Sequence, residues 1–389
     1  MRVGIVGLGF RLGYLARVFT QMVPGFEVAA YVDPAPAGKD YAEQHGVKIG
    51  SSYETLEKML DAEQLDMLMI GSPNHMHLEH LRIGLDRGLK IFSEKPVVTT
   101  IEETLELAGL IGQHPADQIM VGLVLRYAPL YVDLRKAQAE GAIGDVVSIE
   151  ASETIPPYHG AFFQRDWRRY ERYSGSFMLE KCCHDLDLYN GVMGCRPAFV
   201  SSFGGRKAFI PENAPEKDGI NDLEVYHRKP SGWEGSDKVF DGDGDIIDFQ
   251  TALVEYENGA ALSFHTNMNV PDDFRHFAVL GAKGQAEGDF VRNYFKLTDA
   301  RTSKRLVDKT YQTSDLSAHY GADEQMAEDI GKHLTDGVPL PVSVIDALEA
   351  GLLALAMDEA RRTRSVVDMA PIWQRFDEAL KGEQARRRA

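Results

Sequence analysis

Cysteine is scarce in this chain: three in 389 residues, with Cys182 and Cys183 adjacent and Cys195 apart. Such a set makes a poor disulfide framework and lacks the Cys-x-x-Cys spacing of redox motifs, so the pair is read as small buried residues of a reduced, cytoplasmic protein. Long apolar runs are also missing. No stretch of ~18 apolar residues could cross a bilayer as a helix, and the opening Met1-Arg2-Val3-Gly4-Ile5-Val6-Gly7 enters strand-like, Gly-rich sequence where a secretory leader would be apolar for longer. Basic side chains are the minority, 42 Lys and Arg against 59 Asp and Glu, for a formal net charge of −17. A surface of that sign repels nucleic acid and anionic lipid, so neither is expected as a partner. The basic run Arg386 to Arg388 reads as a solvated terminus after a helical segment.

What is present is the pattern of two globular domains. Over residues 1–125, apolar runs alternate with amphipathic stretches. Val3–Val6, Val28–Val32, Leu65–Ile70, Leu89–Phe92 and Ile119–Leu125 read as strands. Helical periodicity follows or separates them at Arg11–Met22, Thr55–Leu60, Leu78–Leu85 and Thr104–Ile111. Continuous apolar strands alternating with helices imply a parallel sheet covered on both faces, a doubly wound α/β domain. Over 126–389 the pattern changes. A helix to Glu140 precedes strands at Val146–Ala151, Thr251–Tyr256, Ala260–Thr266 and His276–Leu280, with a hairpin turn at Glu257-Asn258-Gly259. An α+β domain with an open-faced, largely antiparallel sheet is expected there. Arg206–Gly244, rich in Gly, Pro and Asp, reads as a long excursion, and two helices near Glu324–Leu334 and Val344–Thr363 close the chain.

Gly7-Leu8-Gly9 follows the first strand and opens the first helix. Glycines there permit a tight turn and the approach of a pyrophosphate to the helix N-terminus, with Phe10 and Arg11 in the first turn, as in a Rossmann domain. The third glycine of the fingerprint is displaced: Leu12 stands at its position and Gly13 one residue later. Asp33 ends the second strand, where a carboxylate accepts from a ribose 2′-OH and repels a 2′-phosphate, favouring NAD over NADP. Ser72-Pro73-Asn74-His75-Met76-His77 and Glu94-Lys95-Pro96 follow later strands at their carboxyl ends, where open α/β sheets bind ligands. His75, His77 and His80 imitate metal-ligand spacing without a fourth ligand, and Asp241-Gly242-Asp243-Gly244-Asp245 lacks the later glycine and acid of a calcium loop. No metal is expected.

The Gly-x-Gly turn, the Ser-Pro-Asn-x-x-His loop and the Glu-Lys-Pro loop together resemble the Gfo/Idh/MocA family, that of glucose–fructose oxidoreductase and inositol dehydrogenase. Val121-Gly122 through Arg126-Tyr127-Ala128-Pro129 resembles the family's hinge strand and following helix, and His319-Tyr320-Gly321-Ala322-Asp323 its late His-Gly-Gly-x-Asp segment. The resemblance implies a nicotinamide-dependent enzyme acting on a sugar or cyclitol hydroxyl. It places Gly7, Gly9, Phe10, Arg11, Asp33, Ser72, Pro73, Asn74, His77, Glu94, Lys95 and Arg126 on NAD, with Lys95 also beside the reacting hydroxyl. The family's Asp-x-Gly-x-His signature maps onto Glu180-Lys181-Cys182-Cys183-His184, with Glu180 in place of the aspartate and His184 as the general base.

Tyr158, His159 and the run Gln164-Arg165-Asp166-Trp167-Arg168-Arg169 lie where the family covers its substrate. Trp167 would stack on a sugar face, and Arg168 or a neighbouring arginine would fork onto hydroxyls or an anionic group; an exposed charged helix is the competing reading. The expected function is therefore NAD-dependent hydride transfer from a ring carbon of a sugar, sugar derivative or inositol-like polyol. Two alternatives remain open on the same fold. One is glycoside cleavage by oxidation, elimination and reduction, marked by retained NAD without net turnover. The other is a non-catalytic sensor, against which the presence of both Lys95 and His184 argues. A homodimer or homotetramer through the open sheet face is expected.

Overall fold

A computed structural model describes residues 1–115, 117–215, 233–312 and 318–386. In the first part of the chain, strands β1 (Arg2–Val6), β2 (Glu27–Val32), β3 (Ile49–Tyr53), β4 (Met67–Ile70), β5 (Lys90–Ser93) and β6 (Ile119–Val121) form a parallel sheet in the order β3-β2-β1-β4-β5-β6. Between them run α1 (Phe10–Met22), α2 (Lys39–Gln44), α3 (Leu56–Ala62), α4 (His77–Asp86) and α5 (Ile101–Ile111). All four residues of β4 are buried, as expected of a strand covered on both faces. The order reverses between β1 and β4, and this switch point opens a crevice at their carboxyl ends. β3 is an addition to the strands expected from sequence. Its Ile-Gly-Ser-Ser-Tyr is an edge strand, half exposed and polar, so it carries no apolar run. β6 is shorter than the Ile119–Leu125 expected, because residues 124–127 turn into a 3₁₀ helix.

The second sheet has nine strands: β7 (Val146–Thr154), β8 (Pro197–Gly205), β9 (Phe249–Tyr256), β10 (Ala261–Asn267), β11 (Arg275–Gly281), β12 (Gly284–Asp289), β13 (Tyr294–Asp299), β14 (Arg305–Thr310) and β15 (Val367–Asp368). Their order is β14-β13-β12-β11-β7-β10-β9-β8-β15, with only β7 and β10 parallel. Tyr256 to Ala260 closes the expected hairpin, with Gly259 at φ +80°. Helices α6 (Pro129–Ala139), α7 (Pro157–Arg165), α8 (Glu171–Ser174) and α9 (Phe177–Met193) lie between β6 and β8. Three helices, not two, end the described chain: α10 (Ala322–Asp336), α11 (Val344–Thr363) and α12 (Ala370–Arg386). α11 packs on α9 and β8, α10 packs on α1, and α12 packs on α5, so the last helices join the second half to the first.

Of the expected excursion, 216–232 lie outside the described residues, as do 387–389 of the basic terminus. The excursion's return is fastened to the end of α7 and the turn after it, with Ser236 N donating to Arg165 O at 2.6 Å and Asp245 N to Arg169 O at 2.9 Å. No helix among the described residues is long and apolar enough to cross a membrane. The three cysteines are free, and burial pushes the Cys183 thiol up to about 12. Cys182 and Cys183 are thus packing residues and not nucleophiles.

Candidate active site

The crevice between β1 and β4 is built by glycine. Gly7 takes φ +84°, and a Cβ there would lie 2.2 Å from Ser72 N, so the two loops meet backbone to backbone. Gly9 precedes α1, and a Cβ there would meet nothing within 4 Å, so this side of the turn is open. α1 has no side-chain cap and no acidic residue in its first turn, so its N–H groups remain available to an anion. Gly13, the displaced glycine, lets α1 touch the loop after β2: a Cβ there would lie 2.3 Å from Gly38 O. Leu12 instead packs toward Gly71. Asp33 follows β2 and accepts from Ala35 N at 2.7 Å. Burial pushes its carboxyl up, against hydrogen bonds from the Ala35 and Leu8 N–H groups, which places it at the glycine turn. Phe10 stands exposed at the start of α1. These features fit a dinucleotide: room for a pyrophosphate, free N–H donors and an acid for a ribose.

Alongside lies a cleft of about 230 Å³ lined by residues of both halves of the chain, among them Arg11, Ser72, Asn74, Lys95, His159, Arg168, Glu180, Lys181, His184 and His319. Lys95 follows β5, and its Nζ donates to Glu180 O at 2.5 Å, with Glu180 Oε1 at 3.6 Å. Glu180 lies in the first turn of α9, whose N-cap Ser176 accepts from Leu179 N. The Glu180 carboxylate also accepts from Asn74 Nδ2 at 2.6 Å and Arg168 Nε at 3.0 Å. Burial alone would raise this carboxyl, but the charges of Lys95 and Arg168 and the bonds from Asn74 and Arg168 outweigh it and hold it below its ordinary value. His184 sits one turn further along α9 and is 4% exposed. Burial, then the charges of Lys95 and Arg275, keeps its pKa well below the usual histidine value, so the ring is neutral and able to accept a proton. His159, pushed down to about 3 by burial and nearby cations, is neutral as well.

Several residues expected to touch cofactor take up neighbouring work. Asn74 bridges to α8 and α9, donating also to Ser174 O at 3.0 Å. His77 places its nitrogens 2.8 Å from Ser72 O and 2.9 Å from Pro96 O, tying the two loops together, while His80 meets Ser72 Oγ. Pro73 leads into the 3₁₀ turn Asn74–Met76. His75 packs at a tilt against Tyr173 and stacks on Trp233, so the three histidines face different partners. Glu94 accepts from Arg11 Nε at 2.8 Å and from Lys95 N at 3.2 Å.

Arg126 is placed away from the cleft. It makes a paired contact with Asp187 of α9, at 2.6 and 2.7 Å, because a buried carboxylate on the neighbouring helix claims it. Trp167 is buried under the Arg168 guanidinium, 4.3 Å from its ring centre, so its face is covered by that cation. Tyr158 stands half exposed and stacks on His159. Of the three arginines, Arg168 alone lines the cleft. Arg165 donates to Ala161 O, and Arg169 donates to Asp243 of the excursion, whose carboxylate also takes the Tyr170 hydroxyl. The cleft gains members to which the sequence assigned no site role: Phe162 and Phe163 on α7, Lys181, and His319 from before α10. Lys181 Nζ is held by Glu153 at 2.9 Å, and Glu153 in turn by Arg275 at 2.8 Å.

Comparison with known proteins matches both halves. A model described as an oxidoreductase family's NAD-binding Rossmann fold covers residues 1–122, and the same family's C-terminal alpha/beta domain covers 135–369. YteT of Bacillus subtilis (strain 168), itself a candidate oxidoreductase by name, is 23% identical over 372 residues, 82% of this chain and 84% of YteT. A levoglucosan dehydrogenase solved with NADH and levoglucosan superposes with TM-score 0.75 at 19% identity, over 95% of this chain and 99% of that one. A scyllo-inositol dehydrogenase from Lactobacillus casei, solved with NAD(H) and scyllo-inositol, gives TM-score 0.72 at 21% identity with the same coverage.

Proposed function

The chain belongs to the Gfo/Idh/MocA oxidoreductase family, and from that premise we propose that it oxidises a ring CH–OH of a sugar, sugar derivative or inositol-like polyol with NAD. The observation that carries the reading is the convergence of Lys95, Glu180 and His184 in one cleft with Ser72 and Arg11 of the dinucleotide crevice. The ligands in the two related structures, levoglucosan and scyllo-inositol, are of the same polyol class.

NAD, when bound, supplies the hydride acceptor. The chain's own part is to orient one hydroxyl and move its proton. Lys95, held through Glu180, aims its ammonium into the cleft as a donor to the hydroxyl oxygen and as a charge to stabilise the alkoxide. His184, neutral through burial, takes the proton. Asn74 and Arg168 keep Glu180 ionised and fixed, so the lysine does not wander. Asp33 favours NAD over its 2′-phosphorylated form by charge repulsion.

We extend the reading to a homodimer or homotetramer. Phe199, Phe203 and Leu253 project from the outer face of β8 and β9 with 45%, 67% and 59% exposure, an apolar face that a second copy would cover. A cytoplasmic site of action agrees with free thiols and an NAD requirement. The test is purified protein with NAD⁺ against inositols, levoglucosan, aldoses, sugar acids and glycosides, followed by NADH absorbance. Turnover of at least one ring polyol is expected. Silence across the panel would overturn the reading.

A further inference from the structure

The cleft has a second wall. His319 enters it just before α10 on backbone that side chains rarely adopt: φ +48° at His319 and φ +62° at Tyr320, followed by Gly321 at φ +85°. Consecutive left-handed non-glycine residues are strained, and such strain persists only where the surroundings over-determine it. Here the determining group is a carboxylate. His319 Nδ1 lies 2.9 Å from Asp323 Oδ2, and Asp323, fully buried, accepts from Arg11 Nη2 at 2.7 Å through its other oxygen. Burial acts to raise the Asp323 carboxyl, but the Arg11 charge and the His319 bond prevail and hold it at about 2.

That arrangement selects the tautomer. Nδ1 faces Asp323 Oδ2 at 2.9 Å and, less closely, Arg11 Nη1 at 3.5 Å. An ionised carboxylate only accepts and is much the nearer of the two, so Nδ1 carries the hydrogen. The groups facing the ring are Arg11, Asp323, His184 and, at longer range, Lys181. Burial first, then Arg11 and Lys181, acts against an imidazolium, and on balance the ring's pKa is lowered despite Asp323. Nε2, across the ring from the nitrogen that faces Asp323, therefore keeps its lone pair, on a residue that lines the cleft. His184 differs: its buried Nδ1 has no partner among the described residues, so no such contact selects its tautomer. The two imidazoles stand with centroids 6.0 Å apart, a spacing that neighbouring hydroxyls of one ring can bridge.

We propose that His319 is a specificity-determining residue whose Nε2 accepts the hydrogen bond of a second hydroxyl, vicinal to the one oxidised, so that the enzyme selects ring vicinal diols. The assignment rests on the polyol reading above and narrows its substrate class. A site built to accept a hydroxyl's hydrogen rejects an analogue lacking that hydroxyl, because the acceptor is then left buried and unpaired.

The variant His319→Gly suits the test, since glycine takes φ +48° without strain and leaves a gap that free imidazole fills. The probes are scyllo-inositol and levoglucosan, each with a monodeoxy analogue vicinal to the oxidised carbon. Wild type should prefer the parent polyol by about 100-fold in kcat/KM. His319→Gly should lose most of that preference, with the parent slowed, the deoxy analogue little changed, and added imidazole restoring the parent's rate. Equal slowing of parent and analogue, or no loss of preference, would overturn the proposal. An arm independent of turnover uses ¹⁵N-histidine spectra of the NADH complex, with His319 assigned by its absence from the glycine variant. A protonated Nδ1 with a bare Nε2 is expected, whereas an imidazolium or the Nε2–H tautomer would overturn the proposal. Failure of the broad polyol panel would count against the dehydrogenase reading, while this spectrum still decides the state of His319.

Discussion

Glu180 shows how one side chain can be legible in identity and illegible in geometry. Its place four residues before His184 put both on one face of a helix, and α9 bears that out. Its partners came from three other places: Asn74 after β4, Lys95 after β5 and Arg168 after α7. Glu180→Gln should lower kcat about 10-fold, because the ion pairs with Lys95 and Arg168 are lost while the amide still fills the space and the Lys95 bond to the Glu180 backbone oxygen remains. Steady-state rates on the best polyol check this, and an unchanged kcat would mean that the carboxylate only fills space. The positions of Gly7, Asp33, Lys95 and His184 at the crevice or the cleft were readable because each follows from its own local segment, a loop after a strand for the first three and the first turns of α9 for His184. Arg126 and Trp167 were not, since the neighbour that claims each, Asp187 or Arg168, is decided by packing. His319 shows the same limit: its partner Asp323 is local, but Arg11, which holds that carboxylate, lies 312 positions away from it.

Among elements, the strands buried on both faces announced themselves as apolar runs, and β1, β2, β4 and β5 lie where those runs are. β3 and β12–β14 did not, being edge or half-solvated strands built on glycine, serine and charged residues. The displaced fingerprint glycine has a physical explanation at this scale. α1 meets the loop after β2 at Gly13, so the close approach has moved one residue along the helix. Gly13→Ala is a sharp test because two effects oppose. Helix propensity alone would stabilise α1 by about 1 kcal/mol. The new methyl, however, would sit 2.3 Å from Gly38 O and 2.7 Å from Gly38 Cα, backbone atoms that cannot swing aside. Overpacking of that kind costs about 1–3 kcal/mol or more, so net destabilisation is expected as a lower urea midpoint. A midpoint at or above wild type would show that the loop yields.

For the whole molecule, the burial of neutral histidines couples stability to pH. His80, at about 4, and His159, at about 3, are held far below the ordinary histidine value by burial, and His77, His184 and His319 are lowered too. Below pH 6.5 the unfolded chain binds protons that the folded chain refuses, so stability falls as pH drops toward the folded values. Between pH 6.5 and 5 that amounts to about 2 kcal/mol for each strongly lowered histidine. Urea midpoints at pH 7 and pH 5 should differ accordingly, and equal midpoints would place these rings in solvent. Assembly is tested at the same scale: Phe203→Asp with Leu253→Asp should shift the sedimentation coefficient to that of a monomer if a second copy covers this face, and an unchanged value would locate the contact elsewhere. The central claim is that Lys95 and His184 handle a hydroxyl proton beside bound NAD, and it is tested most directly by steady-state kcat and calorimetric NAD affinity in Lys95→Ala and His184→Ala. The account predicts that each lowers kcat ~10²-fold or more, the usual size of a lost acid–base group, while NAD affinity persists. A near-normal kcat in either variant would contradict it.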